Sequence, residues 1–232
     1  MSDKIYRLDT PRTTLAFISD GQSVHYLYYG KKIGEIFPEA VFVEYDNIGT
    51  DLRNDLFSCF GNDDRRDKSI LVFNADNSFT NEFTLKNATA SKGKKDIPDL
   101  PSSFGAEKTL TFEFADEVEN LLLTVSYSSY RDSDAITVRS SIKNVGKERV
   151  SLKKFASLQL DLSQSGFTVS TFDGCWAGER YRHDEKLSSG IFINQSLCGA
   201  SSAEHNPFSL IKNENGVYAF NLVYSGNHKT SY

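Results

Sequence analysis

The stretch Leu110-Thr111-Phe112-Glu113-Phe114, followed by Leu121-Leu122-Leu123-Thr124-Val125-Ser126-Tyr127, decides the fold class. Leu110, Phe112 and Phe114 alternate with Thr111 and Glu113, and Leu121, Leu123, Val125 and Tyr127 share one face. Successive side chains of a strand point to opposite faces, so a period of two marks a ribbon with one buried side. Ile136, Val138 and Ile142 repeat the pattern, with Thr137, Arg139 and Lys143 opposite. Asn144-Val145-Gly146-Lys147 then turns the chain into Val150 to Leu162, where Ala156, Leu158, Leu160 and Leu162 read as an inner face. Val217 to Tyr224 is apolar or aromatic on both faces, which predicts a strand buried on both sides. No window has helical periodicity and no internal repeat occurs. The expected fold is all-β, a large antiparallel β-sandwich with little or no helix, formed as one domain over residues 1–232.

Upstream, Thr13 to Ile18, Asp20-Gly21 and Val24 to Tyr29 read as a hairpin ended by Gly30-Lys31-Lys32, with Val24, Tyr26 and Tyr28 facing one way. From Gly34 to Phe60 the pattern is irregular and predicts loop with short strands. Ile70 to Phe73 and Phe79 to Leu85 read as strands. Asn87 to Phe104 is polar, with Lys92, Lys94, Lys95, Pro98 and Pro101, and reads as a solvated loop.

At 232 residues the chain is long enough for one large β domain, and its 25% charged and 39% hydrophobic residues are ordinary globular usage. A formal net charge of −5 argues against nucleic acid as a partner, since phosphate binding needs a basic face. No run approaches the length of a membrane span. Met1-Ser2-Asp3-Lys4 leads into no apolar signal region, which predicts a cytoplasmic location. Cys59, Cys175 and Cys198 are odd in number and lack zinc-site spacing, so they read as reduced thiols. His25, His183, His205 and His228 are scattered and supply no metal-ligand pair. No metal or cofactor is expected. Ser201 and Ser202 near His205 read as turn hydrogen bonding rather than a nucleophile and its base.

Three short strings stand out. Gly174-Cys175-Trp176-Ala177-Gly178-Glu179-Arg180 carries the only tryptophan beside a guanidinium, a surface suited to a sugar ring or a partner protein, although a core Trp with a surface ion pair fits the same residues. Gly199-Ala200-Ser201-Ser202-Ala203-Glu204-His205-Asn206-Pro207-Phe208 is a turn-rich loop in which Pro207 biases Asn206 away from helix. Gly61-Asn62-Asp63-Asp64-Arg65-Arg66 reads as a turn with solvated charges.

In order along the chain, these strings resemble the N-terminal domain of the glycoside hydrolase family 36 α-galactosidases, the melibiases. The family's Gly-Ala-Trp and Glu-Arg pattern is similar to Gly174-Cys175-Trp176 with Glu179-Arg180. Its Gly-Ala-Ser-Ser segment ending in Asn-Pro-Phe matches Gly199 to Phe208, and its strand ending in Val-Tyr-Ser-Gly-Asn matches Val223 to Asn227. Lys92-Gly93-Lys94, Leu100 to Phe104 and Asp132 to Arg139 look like further family segments.

The resemblance implies a multi-stranded supersandwich and a fragment of a longer retaining glycosidase acting on terminal non-reducing α-D-galactosyl residues. A retaining glycosidase needs two carboxylates about 5–5.5 Å apart. In the family both lie on a (β/α)₈ barrel that follows this domain, so no catalytic residue is assigned here and the fragment alone is expected to be inactive. The implied partners are that barrel, a galactoside and further copies in a tetramer. Asp64 and Arg66 match the family's Asp-Phe-Arg loop, whose Asp reaches the galactose site of a neighbouring subunit. Arg65 replaces the aromatic. Trp176, Arg180, His205 and Asn206 are the expected interface or site-edge residues. Ala203 replaces a family His and Cys198 a frequent Arg, which keeps an α-N-acetylgalactosaminidase-type relative open. A free-standing sugar-binding module and a purely structural domain are the competing readings.

Overall fold

The computed structural model describes residues 4–35, 54–62, 66–98, 102–162, 164–200, 204–224 and 226–232. Its regular structure is strand, apart from one turn of 3₁₀ helix at Phe60–Asn62, so the all-β expectation holds. Among the described residues no helix is long and apolar enough to cross a membrane. The strands fall into two compact units. The first takes the described residues within 1–96 and 103–162; the second takes those within 97–102 and 163–232.

In the first unit β1 (Lys4–Asp9), β2 (Thr13–Ser19) and β3 (Val24–Lys31) form one antiparallel sheet in that order. β4 (Ile70–Phe73) has its partner far along the chain. β5 (Thr84–Lys92), β6 (Ala106–Asp116), β7 (Leu121–Tyr130) and β8 (Ser133–Asn144) form a four-stranded meander, and β9 (Ser151–Phe155) pairs with β4. The alternation that decides the fold is realised residue by residue: Leu110, Phe112, Phe114, Leu121, Leu123, Val125 and Tyr127 are all buried. They meet Leu8, Leu15, Phe17, Val24 and Tyr26 of the three-stranded sheet, with Ile70 and Val72 of β4. Phe17, Phe112 and Tyr127 pack with ring centroids 4.7–6.4 Å apart, the separation that favours tilted and edge contacts. Tyr26 and Tyr127 share a 2.6 Å hydroxyl hydrogen bond and Tyr26 donates to the Gln159 carbonyl, so neither buried phenol is left unsatisfied. Burial pushes both phenols above their ordinary range.

Several expectations need correction. Tyr28 does not share a face with Val24 and Tyr26. A register shift pairs Ala16 with Tyr28 and Phe17 with Tyr26, leaving Leu27 as an extra residue. One inserted residue flips every later side chain, so Tyr28 and Leu27 join Ala16 and Ile18 in a separate cluster. Phe79 to Leu85 is not a strand: β5 starts at Thr84, because the preceding chain is tied by polar side chains. The Asn81 amide donates to the Asn74 side chain and to Asp116 Oδ2. Residues 87–92, read as loop, are instead the body of β5, since the long β6 offers a partner from Ala115 down to Lys108. Pairing overrides polarity there, and the side chains stay mostly exposed. Finally, Ala156 to Leu162 leaves the ladder after Phe155. Leu158 is exposed, while Leu160 still packs on the core.

The second unit holds β10 (Thr168–Cys175), β11 (Gly178–Lys186), β12 (Ile193–Ser196), β13 (Glu204–His205), β14 (Phe208–Asn213), β15 (Gly216–Asn221) and β16 (His228–Ser231). One sheet runs β11-β10-β14-β15 with β13 also on β10, and β12 pairs with β16. β15 is not buried on both sides. It pairs only with β14 among the described residues, stops at Asn221, and leaves Val217, Val223 and Tyr224 exposed.

His228 starts β16 almost fully buried, and neither ring nitrogen has a hydrogen-bond partner among the described residues. Burial, and after it the charge of His205, holds its pKa below the ordinary value. The unfolded imidazole takes up a proton near pH 6.5 that the folded one refuses. The second unit therefore keeps this contribution above about pH 6.5 and loses it as pH falls toward the lowered folded value. Thermal unfolding between neutral and mildly acidic pH should show that loss, and His228→Leu should flatten it; an unchanged slope in the variant would assign the effect elsewhere.

Candidate functional site

The β10–β11 hairpin closes on Trp176 and Ala177, with Cys175 opposite Gly178. Glycine is required just before the turn. Gly174 has φ 135°, and a Cβ there would lie 2.1 Å from the Gly178 carbonyl oxygen, closer than any side chain allows. Asp173 pairs with Tyr181 while Gly174 pairs with Glu179, so Arg180 is the extra residue of a bulge, at φ 67°. Bulges sharpen the local twist and re-aim side chains. Trp176 stands at the tip 93% exposed, and Tyr181 is 63% exposed. The reading of Trp176 as a core residue is excluded.

β13 reaches the other edge of β10 at the same end, His205 opposite Asp173 and Glu204 opposite Gly174. Trp176, Arg180 and His205 thus lie at one end of one sheet. Asn206 follows and is tied to the neighbouring chain by three hydrogen bonds. Its N–H donates to the Phe172 carbonyl (2.7 Å), its Oδ1 accepts from the Phe208 N–H (2.9 Å), and its carbonyl accepts from the Asn194 amide (2.9 Å). These bonds engage the backbone and Oδ1 of Asn206 and fix the course of the loop, and none of them uses its side-chain NH2. Down the hairpin, His183 Nε2 sits 2.8 Å from Asp173 Oδ1. Hydrogen bonds from Arg182 and Ser170 hold the Asp184 carboxyl down to about 2.

In the first unit Arg66 makes a two-pronged pair with Asp161, Nη1 to Oδ1 at 2.7 Å and Nη2 to Oδ2 at 3.0 Å. Asp64 lies outside the described residues. The chain before it is fixed by Gly61, where a Cβ would fall 2.0 Å from the Asn81 carbonyl oxygen, and by Asn62, whose Oδ1 accepts from the Cys59 N–H and whose amide donates to the Phe57 carbonyl. Asp55 nearby meets His25 Nδ1 at 2.7 Å. Sequence reasoning missed Asp161, Asn62 and Asn81 as supports of this segment. Asp161 is 95 residues from Arg66, and no local pattern links the two. Among the described residues no three His, Cys, Asp or Glu side chains gather as a metal site. Burial raises the Cys59 thiol to about 11.

Residues 22–232 match the Glycosyl hydrolase family 36 N-terminal domain. The chain belongs to this family. It is 30% identical to Alpha-galactosidase Mel36A of Lactobacillus acidophilus over 98% of this chain and 34% of that protein. It superposes on the crystal structure of the alpha-galactosidase from Lactobacillus brevis with a TM-score of 0.88 at 27% identity, over 98% of this chain and 34% of that one. The GH36 alpha-galactosidase AgaA of Geobacillus stearothermophilus gives a TM-score of 0.91 at 24% identity, over 98% and 35%, a likeness of fold alone. The chain therefore spans about a third of the length of the proteins it matches.

Proposed function

We propose that this family 36 N-terminal domain belongs to an α-galactosidase that hydrolyses terminal non-reducing α-D-galactosyl residues of galacto-oligosaccharides. The observation that carries the reading is the end-to-end match of the chain to one third of a protein named as an alpha-galactosidase. In this reading the two catalytic carboxylates sit on a barrel elsewhere in the longer polypeptide. The domain serves assembly of a tetramer and lends the Asp64 loop to the edge of a galactoside site. Trp176, Arg180 and His205 form a contact surface for the barrel or another subunit. The 93% exposure of Trp176 supports that role, because large apolar groups left in water mark a missing partner. Arg66 is held by Asp161 beside the loop, and the carboxylate of Asp64 is the group that meets sugar hydroxyls.

The chain of 232 residues, assayed alone with a chromogenic α-galactoside, is expected to give no turnover, and the longer enzyme to be active. Turnover by the purified chain that disappears on substitution of one of its own carboxylates would overturn the reading. The same exposed Trp176 favours one alternative, a sugar-binding module. Galactoside binding by the chain alone, lost in Trp176→Ala, would favour it.

A further inference from the structure

β11 is an end strand: among the described residues it pairs only with β10, and every residue from Glu179 to Lys186 is exposed. Such an edge presents a row of backbone N–H and C=O groups able to template another strand. Beyond the bulge the ladder is regular, Tyr181 to Lys186 facing Asp173 to Thr168 one for one. That gives six residues of extended edge, about 20 Å at roughly 3.4 Å per residue.

The residue types select which strand fits. In an antiparallel pair, opposed residues share the same hydrogen-bonding direction, so two identical strands related by a twofold axis must place one residue opposite its own copy. With His183 on the axis, Arg182 faces Asp184 of the second copy, twice by symmetry, and Tyr181 faces Glu185, also twice. With Asp184 on the axis, Asp184 meets itself and Arg182 meets Lys186; with Arg182 on the axis, Arg182 meets itself. Opposite charges across a strand pair stabilise it and like charges destabilise it, so of these three registers the one about His183 is favoured within the regular ladder from Tyr181 to Lys186. Arg182 and Asp184 already pair within their own strand at 2.8 Å. The second copy would complete a cluster of four alternating charges, for which a guanidinium has donors to spare. The two axial imidazoles each have their own Asp173 at 2.8 Å, which offsets their mutual repulsion if they are charged.

We propose that β11 is a self-complementary docking edge through which a second copy of this chain pairs antiparallel about His183. The edge charges that block foreign strands select this one. The inference rests on the assembly role proposed above and names its surface. Its test reads association rather than hydrolysis, so it and the galactosidase reading can fail separately.

Sedimentation of the chain across a concentration series should show a monomer–dimer equilibrium. Arg182→Asp should weaken it about tenfold or more, as like charges come to face each other. The double swap Arg182→Asp with Asp184→Arg should restore it, because the pairing is again complementary. In a Cys175→Ser, Cys198→Ser background, His183→Cys should form an intermolecular disulfide. Opposed Cα atoms lie about 4.5–5.5 Å apart, inside the range a disulfide spans. Glu185→Cys should not, since the two copies of residue 185 would be about 14 Å apart along the ladder. Circular dichroism confirms that each variant is folded. A chain that stays monomeric with no His183→Cys cross-link, a dimer indifferent to Arg182→Asp, or equal cross-linking at residue 185 would each overturn the proposal.

Discussion

Phe112→Ala is expected to cost the first unit about 3–5 kcal/mol, the range for deleting a fully buried ring from a close-packed core. Phe112 is wholly buried in β6, with Tyr6, Phe17 and Tyr127 around it at centroid distances of 5.3, 5.1 and 6.4 Å. Those neighbours come from three strands of two sheets, each held by its own ladder, so the hole cannot close by the shift of one side chain. A domain's net stability is about 5–15 kcal/mol, so this loss takes a large share of it. At about 2–4 °C per kcal/mol for domains of this size, the melting midpoint should fall by roughly 6–20 °C. Phe104→Ala is the control. That ring is 82% exposed, and surface changes usually stay within about 0.5 kcal/mol. Urea unfolding followed by circular dichroism measures both. A Phe112→Ala loss below about 1 kcal/mol would mean the two sheets do not share one core around this ring.

Phe112 also marks what the sequence makes legible. A period of two is a local signal, written by adjacent residues, and burial of one face is its direct consequence, so Leu110 to Tyr127 could be read without knowing their partners. What depends on a distant partner could not be read. The bulge at Leu27 exists because β2 and β3 pair one residue out of step at Ala16 and Phe17, and nothing at Leu27 itself announces it. The polar run of β5 became a strand because β6 is long enough to pair with it. The candidate site divides in the same way. At Trp176 the residue types leave a surface and a core reading open, and the tight hairpin behind Gly174, which puts the ring in solvent, decides between them. That the backbone and Oδ1 of Asn206 are tied to Phe172, Asn194 and Phe208, and that Asp161 captures Arg66, are facts of tertiary contact that no local pattern announces.

Asp64→Ala in the longer enzyme is expected to raise KM, or lower kcat/KM, by about tenfold or more. The reading behind this is that Asp64 meets the galactoside of a neighbouring subunit. A carboxylate accepts hydrogen bonds from two adjacent sugar hydroxyls, and bonds to a charged group are worth about 1.5–3 kcal/mol each. Loss of even one accounts for a decade, at about 1.4 kcal/mol per factor of ten. The segment has an anchor on either side: Gly61 packs on the Asn81 backbone and Arg66 is held by Asp161. The fold should therefore survive, and the melting midpoint of the variant should match the parent. Arg66→Ala removes the anchor instead. It should raise KM while kcat is kept, with partial rescue by Arg66→Lys, because lysine retains the charge but not the two-pronged geometry. Mixed assemblies give the sharper test. Subunits carrying Asp64→Ala with an intact barrel, combined with subunits whose barrel is inactivated, put the altered loop against the dead sites and leave the working sites facing a native loop. If the carboxylate acts across the interface, activity per working site should rise above that of the uniform Asp64→Ala enzyme and approach the parent value as the dead-barrel subunits are brought into excess. Working sites that stay as impaired as in the uniform Asp64→Ala enzyme would place its action within one subunit, and an unimpaired uniform variant would remove Asp64 from the site altogether.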